Sequence, residues 1–343
     1  MNIEKINGVD YRLPGGLNPF QRDMYVHLIN QKWKLGINEP GEYKFKGQVI
    51  KYDAILPKAL SKDLRVVYRP IFEELRRHSK VLHFRQHVHF NHMASSQAAN
   101  VNLFLPVLGS SKVNEILGSI KPDFGQLAAK QLDNGYRIEF WDEWNSPLGK
   151  LGDKTLWSGT DSDIGIAYYN KDGELCLWLI EHKLTESEFT TCGGARSKKN
   201  VKKENCAKSY SEILKNKSAC YYHSVRDFRY WDITEANRTF FTNGDRHAIC
   251  PFKGGMNQLW RNQLLALSIE QDRTQPYKHV FFSVVKHPRN EQLDGTLKAY
   301  KELIADHPKF TVLTSADVLI AANRFADKDL TKWVNWYKDF YAV

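Results

Sequence analysis

The sequence predicts an α/β protein in which helices flank a mixed central sheet, in the order αβββαβ. Three observations carry this expectation. A serine-capped helical pattern opens at Ser95, and strand-like runs follow at residues 136–144, 164–169 and 175–183. Lys171-Asp172-Gly173 reads as the short turn of a hairpin joining the last two runs. Within the third run, Cys176 to Ile180 is almost wholly apolar, as expected of a central strand covered on both faces.

Taken in order, residues 1–93 read as an N-terminal elaboration and residues 94–343 as the main domain. Pro14-Gly15-Gly16 and Pro40-Gly41 punctuate the elaboration. Residues 25–35 carry a helix-like spacing, and residues 70–78 another, with Pro70 near its start. A histidine-rich stretch follows. As a strand it would set His83, His87 and His89 on one face, a spacing that resembles metal ligands. No acidic or cysteine partner lies nearby in sequence, so polar histidines beside a ligand or phosphate channel are the better reading. From Ser95 or Ser96 a helix runs through Ala98, Val101 and Leu105 to Pro106 or Gly109. Residues 122–132 are expected to form a second helix, stopped by Asn134-Gly135. Residues 186–256 form a long, polar insertion. A helix over 256–269 returns the chain to the sheet, where strands at 280–285 and 310–313 bracket a helix at 292–305. Leu330, Trp333, Val334, Tyr337 and Phe340 make an apolar stripe that predicts a core-docking C-terminal helix.

Apolar residues make up 42% of the 343 and charged residues 26%, which excludes a disordered or collagen-like chain. The formal net charge of +10 favours a polyanionic partner. No apolar run approaches the ~20 residues that a spanning helix needs, and Met1 to Gly16 has no secretory apolar core, so no membrane association is expected. Five cysteines without a signal fit reduced thiols and a cytoplasmic protein.

The chemistry concentrates in Thr160-Asp161-Ser162-Asp163-Ile164-Gly165 and, across the hairpin, Ile180-Glu181-His182-Lys183. Two apart on a strand, Glu181 and Lys183 share one face. Charges ending an apolar strand are costly unless they are paired, hydrated or bound to metal. Asp163 starts the neighbouring strand and can reach the same end. Two carboxylates at one point make a hard-oxygen site suited to Mg²⁺, and a lysine beside them can orient or deprotonate a water or stabilise charge developing at phosphorus.

An acid, a hairpin, and Glu-x-Lys closing an apolar strand resemble the PD-(D/E)XK nuclease superfamily, whose fold is restriction-endonuclease-like. Ser162 stands where that pattern has proline. Ser95-Ser96-Gln97-Ala98 leading into Asn102-Leu103-Phe104, and Gln258-Leu259-Trp260-Arg261, extend the resemblance across about residues 92–285, toward an uncharacterised branch. It implies Asp163 and Glu181 as ligands of Mg²⁺ (or Mn²⁺), with the carbonyl of His182 as a further one, its side chain left unconstrained. Lys183 is then the catalytic lysine. Many members add a glutamate from the first core helix, a place that Gln97 takes here unless Glu139 approaches instead. Asp161 reads as a loop cap. Gln258 and Arg261, one helical turn apart, suit a helix facing the scissile phosphate. The implied activity is metal-dependent hydrolysis of phosphodiesters, DNA favoured. Its rival is a nucleic-acid-binding protein that kept the fold without the catalysis.

Two further features lie in the insertion. Arg196, Lys198, Lys199, Lys202 and Lys203 read as a solvated run able to touch phosphates beside such a site. Cys192, Cys206, Cys220 and Cys250 fall in a stretch expected to hold few apolar residues, where Zn²⁺ or an iron–sulfur cluster could act as a staple. Cys176 is excluded as a buried strand residue.

Overall fold

The computed structural model describes residues 2–60, 63–82, 84, 86–141, 149–154 and 159–343. His83 and the end of the strand expected at 136–144 therefore lie outside the described residues.

A hairpin of β1 (Asn2–Ile6) and β2 (Val9–Leu13) precedes helix α1 (Pro19–Lys34), which Asn18 and Gln21 cap reciprocally. A second hairpin, β3 (Gly41–Phe45) and β4 (Gln48–Tyr52), leads to α2 (Phe72–Leu82). Among the described residues of the histidine stretch there is no strand; His87 to Ala94 run through turns, fastened by the isolated bridge between Ile55 and His92.

Helix α3 (Ser96–Leu108) starts where the sequence says, with Ser95 Oγ accepting from the Ala98 amide and Gly109 closing it. Where one helix is predicted over 122–132, the chain instead forms α4 (Val113–Ile120) and strand β5 (Phe124–Leu127). Val113, Ile116, Leu117 and Ile120 supply the helical spacing, and Phe124 buries itself by pairing β5 with the next hairpin.

Strands β6 (Tyr136–Phe140), β7 (Ser162–Asn170) and β8 (Leu175–Lys183) follow in antiparallel order, with Gly173 at φ 79° in the β7–β8 turn. The insertion contributes α5 (Gly193–Arg196), α6 (Tyr210–Lys215), α7 (Tyr221–Ser224) and α8 (Tyr230–Ala236). It is not poor in apolar residues, as its polarity suggests. Tyr210, Ile213, Phe228, Tyr230, Trp231, Phe240 and Phe252 are all buried, and Phe252 stacks on Trp260 at 4.1 Å.

Helix α9 (Asn257–Gln271), β9 (His279–Lys286), α10 (Asp294–Leu303) and β10 (Phe310–Thr314) complete the sheet, and α11 (Ser315–Arg324) and α12 (Lys328–Tyr341) close the chain. Strand order is β10-β9-β8-β7-β5, with β6 also on β7 and with β8, β9 and β10 parallel. The αβββαβ core expected from sequence is thus α3, β6, β7, β8, α9, β9.

Each face of the sheet carries its own core. Cys176, Trp178 and Ile180 of β8 pack with α3, with Met24 and Leu28 of α1, and with Trp333 and Tyr337 of α12. Leu177 and Leu179 point the other way, onto Phe189, Trp260, Leu264 and the insertion. Strand alternation therefore carries Glu181 and Lys183 to the α9 face and His182 to the α3 face. Among the described residues no helix is long and apolar enough to cross a membrane.

Candidate active site

Asp163 is the second residue of β7, and its Oδ2 accepts from the backbone amide of His182 at 2.6 Å. That bond locks the head of β7 to the tail of β8. From α3, Asn100 Nδ2 donates to the carbonyl of Asp163 at 3.1 Å. Across the pair, Glu181 Oε1 accepts from Lys183 Nζ at 2.8 Å and from Gln258 Nε2 at 2.7 Å, while Oε2 accepts from Asn262 Nδ2 at 2.9 Å. Both carboxylate oxygens are thereby fixed from β8 and from α9.

A third carboxylate comes from β6. Glu139 accepts from Gln97 Nε2 at 2.6 Å, and Gln97 Oε1 accepts from the His87 amide at 2.9 Å. The Glu139 backbone is left-handed, with φ 52°. It breaks the alternation of β6: Ile138 packs on the α3 face and Phe140 on the α9 face. Strained backbone at a non-glycine position persists only where its surroundings hold it. Phe140 then lies across β7 at Gly165, where an added Cβ would stand 2.6 Å from the ring.

Asp163, Glu181, Glu139 and Asp161 line one cleft of about 670 Å³, together with Gln97, Gln258, Glu186, Tyr25, His87, His89 and His92. Burial, and then the charges of Glu181 and Glu139, hold the Asp163 carboxyl well above its ordinary value. Glu139 is raised likewise, by burial first and then by Asp161. Burial raises Glu181 too, against the pull of Lys183. Burial alone would lower Lys183, yet Glu181, Glu186 and Asp163 outweigh it and keep the ammonium charged. Carboxyl groups gathered this closely resist ionising together, and Lys183 bonds one of them from beside the cleft; a cation between them would favour their charged forms. Among the described residues no three His, Cys, Asp or Glu side chains stand as a finished ligand set for one ion. A Mg²⁺ site needs only one or two carboxylates, completed by other oxygens, and Asp163 and Glu181 are the two that could supply them.

Asp163, Glu181, Lys183, Gln97 and Gln258 are brought together as the sequence suggests. Gln97 and Glu139, posed as alternatives, act as a bonded pair. Arg261 is carried elsewhere: its guanidinium bonds Thr160 Oγ1 at 2.9 Å and the carbonyl of Gly159, lies 3.8 Å from Asp153, and lines a neighbouring cleft. Lys198, Lys199, Lys202 and Lys203 are exposed, and Lys199 lines that same second cleft. The side chain of His182 is not unconstrained. It is fully buried with both ring nitrogens unpartnered among the described residues, and burial lowers its pKa to about 3. Sequence reasoning misses Asn262 and Asn100. The signal for Asn262 is there, since it lies one turn beyond Gln258 on the same face of α9.

The αβββαβ sheet and its flanking helices are those of the restriction-endonuclease-like class of α/β proteins. Residues 29–342 match the family described as Restriction Endonuclease associating with ARP (REase-ARP), and the chain belongs to that family. No curated protein and no solved structure matches the chain significantly.

Proposed function

We propose that this chain is a divalent-metal-dependent nuclease of the PD-(D/E)XK type that hydrolyses phosphodiester bonds in DNA. The observation that carries the reading is the meeting of Asp163, Glu181 and Lys183 at the adjoining ends of β7 and β8, where the two acids line a cleft of a chain whose net charge is +10. Asp163 and Glu181, with the His182 carbonyl, are the residues that would hold Mg²⁺ or Mn²⁺. Such an ion supplies Lewis acidity, polarising a phosphoryl oxygen and making water nucleophilic at neutral pH.

The chain's own groups do the rest. Lys183, kept charged by its carboxylate neighbours, orients the attacking water and offsets negative charge developing at phosphorus; it is not the base that takes the proton. Gln258 and Asn262 fix the rotamer of Glu181, and Gln97 fixes Glu139. Lys198, Lys199, Lys202 and Lys203 contact substrate phosphates outside the cleft, and Arg261 holds the Thr160 loop that leads into Asp161 and Asp163.

Linear and circular DNA incubated with the protein in Mg²⁺, Mn²⁺ or EDTA test this. Cleavage that requires the metal and disappears in Glu181→Gln and Lys183→Ala, with DNA binding kept, is the expected result. Retained cleavage in EDTA overturns the metal mechanism. Binding without cutting under every divalent ion makes the chain a nucleic-acid-binding member of the fold instead.

A further inference from the structure

Cys192, Cys206, Cys220 and Cys250 of the insertion are half-buried free thiols, and among the described residues no three of them could hold a metal ion. A cavity of about 250 Å³ between the same insertion and α9 carries more. Three cations line it, Lys199, Arg226 and Arg261, and no carboxylate does. Lys199 and Arg226 are exposed and pair with no acid among the described residues. Arg261 is engaged only in part. Its Nε bonds Thr160 Oγ1 at 2.9 Å and its Nη2 the Gly159 carbonyl, which leaves Nη1 without a hydrogen bond among the described residues. Asp153, 3.8 Å away, already accepts from the hydroxyls of Thr160 at 2.5 Å and Tyr230 at 2.7 Å.

Aromatic rings build the rest of the wall. Tyr222, Phe228 and Tyr230 stand with ring centroids 5.3 to 5.4 Å apart, with Arg226 5.4 Å over Phe228 and Arg261 5.9 Å over Tyr230. The Tyr222 hydroxyl accepts from the Gly193 amide at 2.8 Å and so ties α5 to these rings. Ring faces attract the cations without neutralising them, and they lower the local dielectric. An anion brought among them gains more than it would in water. A phosphodiester inside a chain carries one negative charge, whereas a phosphate at a chain end carries close to two at pH 7 and three acceptor oxygens. Three cations and no acid match the dianion. The polymer that would supply it passes nearby: Arg261 stands one turn of α9, roughly 5 Å, beyond Gln258, which bonds Glu181 in the catalytic cleft.

We propose that this cavity binds the terminal phosphate of a DNA strand, so that the protein engages chain ends. The proposal rests on the nuclease reading for the nature of the polymer. Its test reads binding without metal, so either can fail while the other stands.

Full-length protein in EDTA is titrated with fluorescent oligonucleotides of one sequence, single-stranded and duplex, that end in a 5′-phosphate, a 3′-phosphate or hydroxyls only. One of the phosphorylated forms should bind about tenfold tighter than the hydroxyl-ended one, and which of the two it is tells which end the cavity takes. Inorganic phosphate should weaken binding of that form and leave the hydroxyl-ended form unmoved. Arg226→Ala should erase the preference and Arg226→Lys keep part of it; the side chain is exposed, and circular dichroism checks that both variants fold. Equal affinity for all three ends in the wild type overturns the proposal and needs no variant. A preference that survives Arg226→Glu overturns it as well.

Discussion

Gln97 and Glu139 are joined by a 2.6 Å hydrogen bond that runs from the first core helix to the first core strand, at a residue whose backbone is left-handed. Such a conformation costs on the order of 1–3 kcal/mol, and the carboxylate it delivers is itself raised by burial and by Asp161. Stability is given up here to gather negative charge.

Neutralising that charge should return stability. Glu139→Gln and Asp163→Asn keep an oxygen for the Gln97 and His182 donors, and each should stabilise the metal-free protein by about 1 kcal/mol at pH 8. The sign with pH is fixed. Both folded-state pKa values lie above the ordinary ones, so the folded chain holds protons that the unfolded chain releases. The advantage of each variant should be absent below about pH 4 and grow as pH rises. Saturating Mg²⁺ should shrink it by stabilising the wild type. Thermal unfolding across pH checks this; an advantage that falls with rising pH contradicts it.

His182→Leu should stabilise the protein, because it removes a buried ring whose nitrogens lack partners. The ring resists protonation in the folded state, with a pKa near 3, while the unfolded ring titrates near 6.5. Wild-type stability from this group is full above 6.5 and drains as pH falls toward 3. The gain from His182→Leu should therefore be larger at pH 5 than at pH 8, read by denaturant midpoints. Equal gains would show that the histidine's titration is not the cause.

Gly165→Ala should destabilise by about 1–3 kcal/mol, since the new Cβ meets the Phe140 ring. Phe140→Leu should cost less in the Gly165→Ala background than alone. A double-mutant cycle reads this coupling, and strict additivity would locate the strain elsewhere.

Replacing Lys198, Lys199 and Lys202 by alanine should weaken DNA binding across sequences and lower the salt slope by about one unit for each phosphate no longer neutralised. Anisotropy titrations at several salt concentrations measure it. A slope that does not move would make these lysines a solvated face only.

Much of this is legible in the sequence because it follows from period two. The apolar run ending in Glu181-His182-Lys183 sets the strand, its faces and the shared side of Glu181 and Lys183. Ser95 announces α3 through its side-chain cap. What escapes depends on distant partners. Strand β5 exists because β7 offers Phe124 an edge, against a local pattern that reads as helix. No propensity foretells a glutamate at φ 52°. The insertion's aromatics are too widely spaced in sequence to show a period, so their common core with Trp260 leaves no local signal.

Tyr25 and the histidines at 87, 89 and 92 form a wall of the cleft, and all precede the αβββαβ core. Glu139, Asp163 and Glu181, which line the same cleft, sit on the sheet. One stretch of chain thus supplies that wall, while another supplies the carboxylates. The two are not independent: the His87 amide donates to Gln97, which in turn holds Glu139, so a change in the wall reaches a carboxylate through two hydrogen bonds.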